Sequence, residues 1–277
     1  MIELPEAATI ARQMTDALKG KRIASAVRGN APHKFAFYSG SAKKYATLLK
    51  GRVIGEAKEH GSLIVVNVDP GHVLVLGGGG ERITLHEAGE KPPGRHHLLL
   101  RFDDGSFLSV TVQGWGSAQL LKLSEFPKGA CCAKEGVPPL DPAFTAAHFK
   151  ALFRTLDDGD KRSVKYFMIS EPGVPGVGNG CLQDILLKAG VHPRRRAVDL
   201  TARERGALRR AVRSVLREAV KLGGRDSERD LYGRPGGYER VLHSKVVGKP
   251  CPQCGAPIEK IQYLGGASYF CPKCQPE

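Results

Sequence analysis

The last twenty-seven residues of the chain hold four cysteines, Cys251-x2-Cys254 and Cys271-x2-Cys274, with sixteen residues between the pairs. Two such pairs supply the tetrahedral thiolate set that structural zinc prefers. Four sulfur ligands leave no open coordination position, so the expected cofactor is one structural Zn2+. A module of about 28 residues cannot bury enough apolar surface to fold alone, and metal ligation supplies the missing free energy. Disulfides or an iron–sulfur cluster are the alternatives for four such thiols. Between the pairs, 258–262 and 267–270 read as the two strands of a β-hairpin. Lys249, Lys260 and Lys273 make the module positive, which suits phosphate contacts. The other three cysteines, Cys131, Cys132 and Cys181, show no ligand spacing.

Upstream of this module the hydrophobic pattern changes once. Residues 1–124 begin with a helix over 5–18, whose Ala7, Ile10, Ala11, Met14 and Leu18 fall near one face. Short apolar runs follow at 34–38, 62–68, 72–76, 97–102 and 106–112, separated by turn signals such as Asp69-Pro70-Gly71 and Asp103-Asp104-Gly105. One helix and several strands of this kind predict a helix against a β-sandwich or flattened barrel. Residues 125–140 read as a linker, and from Asp141 the pattern is helical. Asp141 is expected to cap a helix with Pro142 in its first turn, continued by 148–156. Further helices are expected at 163–167, 179–189 and 201–222, the last with a capping box from Thr201 and Glu204. The whole is a multidomain α+β chain: an N-terminal β-sandwich domain (1–124), a helical domain (125–222), a connector (223–249) and a zinc finger (250–277).

A formal charge of +14 on 277 residues suggests a polyanionic partner. No run approaches twenty apolar residues, so no membrane partner is expected. The acidic start Met1-Ile2-Glu3-Leu4-Pro5-Glu6 is unlike a secretory signal, so a cytoplasmic chain is expected. Arg203, Arg205, Arg209, Arg210, Arg213, Arg217 and Lys221 recur along the final helix, either as a solvated face or as a flank beside a polyanion. A glycine-rich turn, Gly173-Val174-Pro175-Gly176-Val177-Gly178-Asn179, opens the helix over 179–189; it reads as a plain turn or as a seat for a phosphate oxygen.

These pieces, in this order, resemble the bacterial formamidopyrimidine-DNA glycosylase and endonuclease VIII family. The matching stretches are Glu3-Leu4-Pro5-Glu6, Leu76-Gly77, Gly176-Val177-Gly178-Asn179, Ala189-Gly190-Val191-His192-Pro193 and the cysteine module. The resemblance implies a β-sandwich, a helix–two-turn–helix domain and a zinc β-hairpin finger acting on damaged double-stranded DNA as a monomer, in a bacterial, nucleoid-associated setting. It implies flipping of a damaged base and attack on the sugar C1′ by an N-terminal amine assisted by the adjacent glutamate. The candidate catalytic residues are therefore Met1, Ile2 and Glu3. Candidate DNA contacts are Lys165, Asn179, Trp115 and Lys260. Trp115 reads equally as a wedge against a base pair or as an anchor of the sandwich core.

The departures from the family pattern are concentrated where that family meets the lesion strand. Its N-terminal proline is replaced by Ile2, whose bulk disfavours removal of Met1, so the amine is expected on Met1. Ser62 stands for a strand lysine and Gly78 for an intercalating methionine. Gln113 and Gly114 stand for two basic residues, and Gly266 for the finger arginine. Cys181 and Asp184 occupy the family's tyrosine and glutamate positions. The sequence thus supports a divergent DNA glycosylase or AP lyase using a primary amine and Glu3, with a non-catalytic DNA-binding protein of the same fold as the alternative.

Overall fold

The computed structural model describes residues 1–30, 34–131 and 133–277, so Cys132 lies outside the described residues. The chain forms two compact units. One is Met1–Ala133 with Leu222–Gly237, the other Lys134–Lys221 with Tyr238–Glu277.

The first unit opens with α1 (Leu4–Leu18). Its Ala7, Ile10, Ala11, Met14 and Leu18, three or four residues apart, are all buried. At its start the Glu3 backbone N–H donates to the Glu6 carboxylate at 2.9 Å, which satisfies one donor outside the helical ladder. Nine strands follow among the described residues: β1 (Ile23–Val27), β2 (Ala36–Phe37), β3 (Val53–His60), β4 (Leu63–Asp69), β5 (His72–Gly77), β6 (Glu81–His86), β7 (Leu98–Phe102), β8 (Phe107–Val112) and β9 (Gly116–Lys122). They make a four-stranded sheet, β1-β7-β8-β6, and a five-stranded sheet, β2-β9-β5-β4-β3. Pairings are antiparallel except β2 with β9. A single apolar cluster joins the two sheets and α1, with Ile64, Val66, Leu74 and Leu76 from one sheet and Ile83, Leu98, Leu100 and Val110 from the other. This is the expected sandwich. The alternate residues of β5, Val73 and Val75, pack on Leu121 and Ala130 instead. Both faces of β5 are thus covered, which accounts for its unbroken apolar run.

Strands β1, β3, β6 and β9 and the short helix α2 (Ala42–Leu49) went unread in the sequence. Their polar positions dilute the two-residue alternation; β3, for instance, carries Glu56, Lys58 and Glu59. The expected strand over 34–38 is reduced to Ala36–Phe37.

The span 222–237, expected to begin a connector, folds as part of the first unit. Leu231 enters its core. The Leu231 N–H donates to Gln13 Oε1 at 3.0 Å, and Gln13 Nε2 donates to Asp230 at 2.8 Å. The two ends of the span cross closely. A Cβ on Gly236 would lie 2.2 Å from the backbone of Gly224, so only glycine fits there.

The second unit contains α3 (Ala146–Leu152), α4 (Val164–Ile169), α5 (Asn179–Ala189), α6 (Ala202–Lys221) and a hairpin, β10 (Glu259–Tyr263) with β11 (Gly266–Phe270). Asp141 does not cap a helix; its carboxylate accepts from the Ala143 N–H two residues on, a local turn that competes with helix entry. The cap is Thr145, whose hydroxyl accepts from His148 N–H at 3.1 Å. Buried Phe149, Phe153 and Phe167 meet ring to ring, edge-on between the first two and tilted between the last two. The Thr201–Glu204 capping box forms as expected. Helix α6 buries Leu208, Ala211, Val212, Val215, Leu216 and Ala219. Two of its arginines serve the fold. Arg205 donates to the Leu200 and Val198 carbonyls and lies 4.5 Å from the Phe153 ring, and Arg213 donates to the Phe144 carbonyl. No helix among the described residues is long and apolar enough to cross a membrane.

Candidate active site and zinc centre

Residue 1 of the first unit is held at both of its backbone ends. The Met1 α-amine lies 2.9 Å from Glu228 Oε1, and the Met1 carbonyl accepts from Arg225 Nη2 at 2.5 Å. The Ile2 N–H donates to the Gly79 carbonyl at 2.7 Å, and the Ile2 side chain is buried. Met1 is thereby built into the fold, while its side chain remains 46% exposed. Of the two candidate amine bearers, Met1 presents its nitrogen beside a carboxylate, and Ile2 is tied into the backbone.

Glu3 is almost fully buried and bonds to Arg225. The guanidinium reaches Glu3 Oε1 at 2.9 Å through Nη1 and grips Glu6 with Nε at 3.0 Å and Nη2 at 2.7 Å. The Arg225 backbone N–H also donates to Glu6, at 2.9 Å. Arginine's planar fork suits this double carboxylate grip.

The loop that receives Ile2 is built around a third buried acid. Glu81 accepts the Ser117 N–H at 2.6 Å and the Gly79 N–H at 3.0 Å. Burial pushes its carboxyl up to about 7, against the opposing pull of these N–H donors and of the N-terminal charge. Gly77, Gly79 and Gly80 are explained by crowding: a Cβ on Gly79, for instance, would sit 2.1 Å from the Trp115 carbonyl oxygen. Trp115 itself is 39% exposed, so it is not the core anchor of the sandwich.

In the second unit two of the expected DNA-contact residues turn inward. Lys165 is buried, donating to the Tyr263 carbonyl at 2.7 Å and the Ser268 hydroxyl at 2.9 Å. Burial lowers its pKa from the ordinary lysine value. Asn179, at the start of α5, donates to the Ala267 carbonyl at 3.2 Å. With Gln183, which accepts the Tyr269 N–H at 2.7 Å, these side chains dock the hairpin on the helices. Lys260 is exposed on β10, opposite Tyr269. Asp184 accepts from the Tyr238 hydroxyl and from the Val241 and Leu242 N–H groups, which fastens 238–242 to α5; burial raises its carboxyl.

The four cysteine sulfurs of the C-terminal module all lie within 4.8 Å of one another. The Cys254–Cys271 and Cys251–Cys274 separations are 3.4 and 4.0 Å. Those bracket the ~3.8 Å edge of a tetrahedron with ~2.3 Å zinc–sulfur bonds. The Gln253 and Cys274 N–H groups donate to the Cys251 and Cys271 sulfurs, the support a thiolate needs. Burial, then the neighbouring cysteines, push the Cys274 thiol up to about 12, so a cation is what stabilises the cluster as thiolates.

Arg225, Glu228 and Glu81 were not among the residues singled out from the sequence, and Glu6 entered only within the Glu3-Leu4-Pro5-Glu6 stretch. The signals were the glycine pairs 223–224 and 236–237 around a charged run, and an acid directly after four glycines.

Three family models match successive stretches of the chain. Residues 1–113 match the formamidopyrimidine-DNA glycosylase N-terminal domain, 136–230 the formamidopyrimidine-DNA glycosylase H2TH domain, and 248–276 the zinc finger found in FPG and IleRS. The last match and the sulfur geometry establish one structural zinc site. The formamidopyrimidine-DNA glycosylase of Gluconobacter oxydans is 32% identical over 285 residues, spanning 99% of this chain and all of that protein. The MutM (FPG) protein of Thermus thermophilus is similar in structure, with a TM-score of 0.83 and 28% identity over 99% of each chain. Lactococcus lactis Fpg, in a complex with DNA containing an abasic site, has a TM-score of 0.86 at 23% identity, covering 99% of this chain and 100% of that one. With one relative above 30% identity along its full length and three matching domains in order, the chain belongs to the formamidopyrimidine-DNA glycosylase family.

Proposed function

We propose that this protein binds duplex DNA at damaged bases or abasic sites and acts as a DNA glycosylase with AP lyase activity, using the primary α-amine of Met1 as its nucleophile. The observation that carries this reading is the ordered amine, held by the Arg225 contact to the Met1 carbonyl and the Glu228 contact to the nitrogen. A primary amine can condense with the C1′ aldehyde of an abasic sugar to form an imine. Glu3 is linked to residue 1 through Arg225, which bonds to both the Glu3 carboxylate and the Met1 carbonyl. Trp115 and Lys260, both exposed, are proposed as contacts to base pairs and phosphates. Lys165 and Asn179 serve the same end by holding the hairpin in place.

The second reading, DNA binding without turnover, is favoured by the Arg225–Glu3 pair and by Ser62, Gln113, Gly114 and Gly266 at positions where the family is basic. Borohydride trapping on an abasic-site duplex separates the two. A covalent adduct located on Met1 by peptide mass spectrometry supports the enzyme. Salt-dependent duplex binding with no adduct and no base release from a lesion panel supports the binding protein. No duplex binding at low salt eliminates both.

A further inference from the structure

We infer that Glu228 is the proton-transfer partner of the Met1 amine, so that the carboxylate working with the nucleophile comes from the Leu222–Gly237 segment and not from Glu3. This inference rests on the proposed role of Met1 as the reacting amine. Three observations carry it. Glu228 Oε1 is 2.9 Å from the amine nitrogen, within proton-transfer distance, and this is its only ion pair among the described residues. Its side chain is 18% exposed, so the carboxylate is open to solvent beside the amine. Glu3, by contrast, is 2% exposed, and its carboxylate is bonded to the buried Arg225 guanidinium. The same turn carries both devices: the Glu228 N–H donates to the Arg225 carbonyl at 3.0 Å, so the residue that fixes the Met1 carbonyl also places the carboxylate on the Met1 nitrogen.

The chemistry balances with these two groups alone. The ammonium of Met1 passes one proton to the Glu228 carboxylate. The freed nitrogen lone pair adds to the aldehyde carbon of a ring-opened abasic sugar, and the carbonyl electron pair moves to oxygen. A proton shifts from nitrogen to that oxygen, giving a carbinolamine. Glu228 returns its proton to the hydroxyl, which leaves as water, and a protonated imine remains beside the restored carboxylate. The sum is ammonium plus aldehyde giving iminium plus water, with Glu228 unchanged.

Two effects oppose each other in a Glu228→Gln variant. Loss of the ion pair releases the amine, an exposed-pair effect worth no more than about fivefold. Loss of the proton relay slows carbinolamine formation and dehydration by about 100-fold or more. The relay dominates, so the net change is a decrease. The test has a DNA-free arm and a DNA arm. In the first, the full-length zinc-loaded protein is treated with formaldehyde and cyanoborohydride at neutral pH, and methylation of Met1 is followed by peptide mass spectrometry against the lysines. Glu228→Gln should slow Met1 methylation at least about tenfold with lysine rates unchanged, and Glu228→Asp should recover part of it. Equal Met1 rates in wild type and Glu228→Gln overturn the inference, as does an intact mass lacking Met1. In the second arm, borohydride trapping on abasic-site DNA should fall about 100-fold in Glu228→Gln with duplex affinity retained. Trapping that is equal in the two proteins also overturns it. A wild type that traps nothing while the formaldehyde arm shows the difference defeats the proposed enzyme and leaves the Glu228–amine relay standing.

Discussion

Arg225 in the first unit and Lys165 in the second are both buried cations that tie distant parts of their own unit together. Arg225 meets two carboxylates and a carbonyl at the N-terminus. Lys165 meets a carbonyl and a hydroxyl in the finger hairpin, with no carboxylate at hand. Burying a charge costs free energy that only strong pairing offsets. The arginine site is therefore a lock in which each member depends on the others. The lysine site carries an uncompensated charge, which is why burial lowers the pKa of Lys165. The hairpin tolerates this weaker anchor because it has a second one that the N-terminus lacks, the metal.

The largest expected effect breaks the comparison on the finger side. Structural zinc contributes an apparent ~10–16 kcal/mol in small zinc modules. Chelation, or Cys271→Ala, should therefore unfold the hairpin with Lys165 intact and leave the first unit folded. Metal analysis should give one zinc per chain. Hydrogen exchange should show lost protection over 250–277 and none over β4 and β5. Retained protection across β10 and β11 after metal removal would mean that side-chain docking alone holds the hairpin.

The next effect tests the lock. Arg225→Met removes the guanidinium and leaves Glu3 and Glu6 buried without it. Breaking a buried pair in this way costs about 3–5 kcal/mol, read as a lower urea midpoint with unchanged slope. Adding Glu6→Gln to Arg225→Met should restore part of that loss, because fewer buried charges then lack a partner. Additive losses would show that the network is not coupled.

Much of this architecture was legible in the sequence, for identifiable reasons. The zinc module, α1, α5 and α6 each combine a strong period with a specific start or stop: paired cysteines, the Thr201–Glu204 box, Gly190 after Ala189. The catalytic end was legible only in part. Met1 and Glu3 are found by position, whereas Arg225 and Glu228 lie more than 220 residues away and no local pattern links them. The inward turn of Lys165 was hidden for the same reason, since a lysine reads as a surface cation until its partners 98 and 103 residues on are known.

A smaller effect concerns Glu81, a further buried acid of the first unit. Glu81 titrates at about 7 in the folded protein against an ordinary value of 4.5. The native state therefore holds a proton that the unfolded chain releases. Stability from this group is fully present below pH 4.5, falls as pH rises, and is lost above about pH 7; the whole change is about 3 kcal/mol. Glu81→Gln should remove that slope. Below pH 4.5 it should lower stability by about 1 kcal/mol, because the amide NH2 faces one of the two N–H donors from Gly79 and Ser117, and above about pH 7 it should be more stable than the wild type, whose buried carboxylate is then charged. A pH series of urea midpoints in which wild type and variant run parallel would show that Glu81 keeps its charge throughout.

The smallest effects return to the two kinds of lysine in the finger region. Lys165 is internal and Lys260 is exposed, so they should separate stability from DNA binding. Lys165→Met removes two hydrogen bonds and an unpaired buried charge, changes of opposite sign. The net loss should be about 1 kcal/mol, seen as lower protection of the hairpin. Because its Nζ is directed at Tyr263 and Ser268, the dependence of duplex affinity on salt should stay as in wild type. Lys260→Ala should do the reverse. Stability should change by less than about 0.5 kcal/mol, while the slope of log affinity against log salt should fall by about 1, as for one lost phosphate contact. If Lys165→Met instead flattens the salt slope, its ammonium leaves the hairpin to meet a phosphate when DNA binds. The unpaired charge that distinguishes it from Arg225 would then be the property that lets it move.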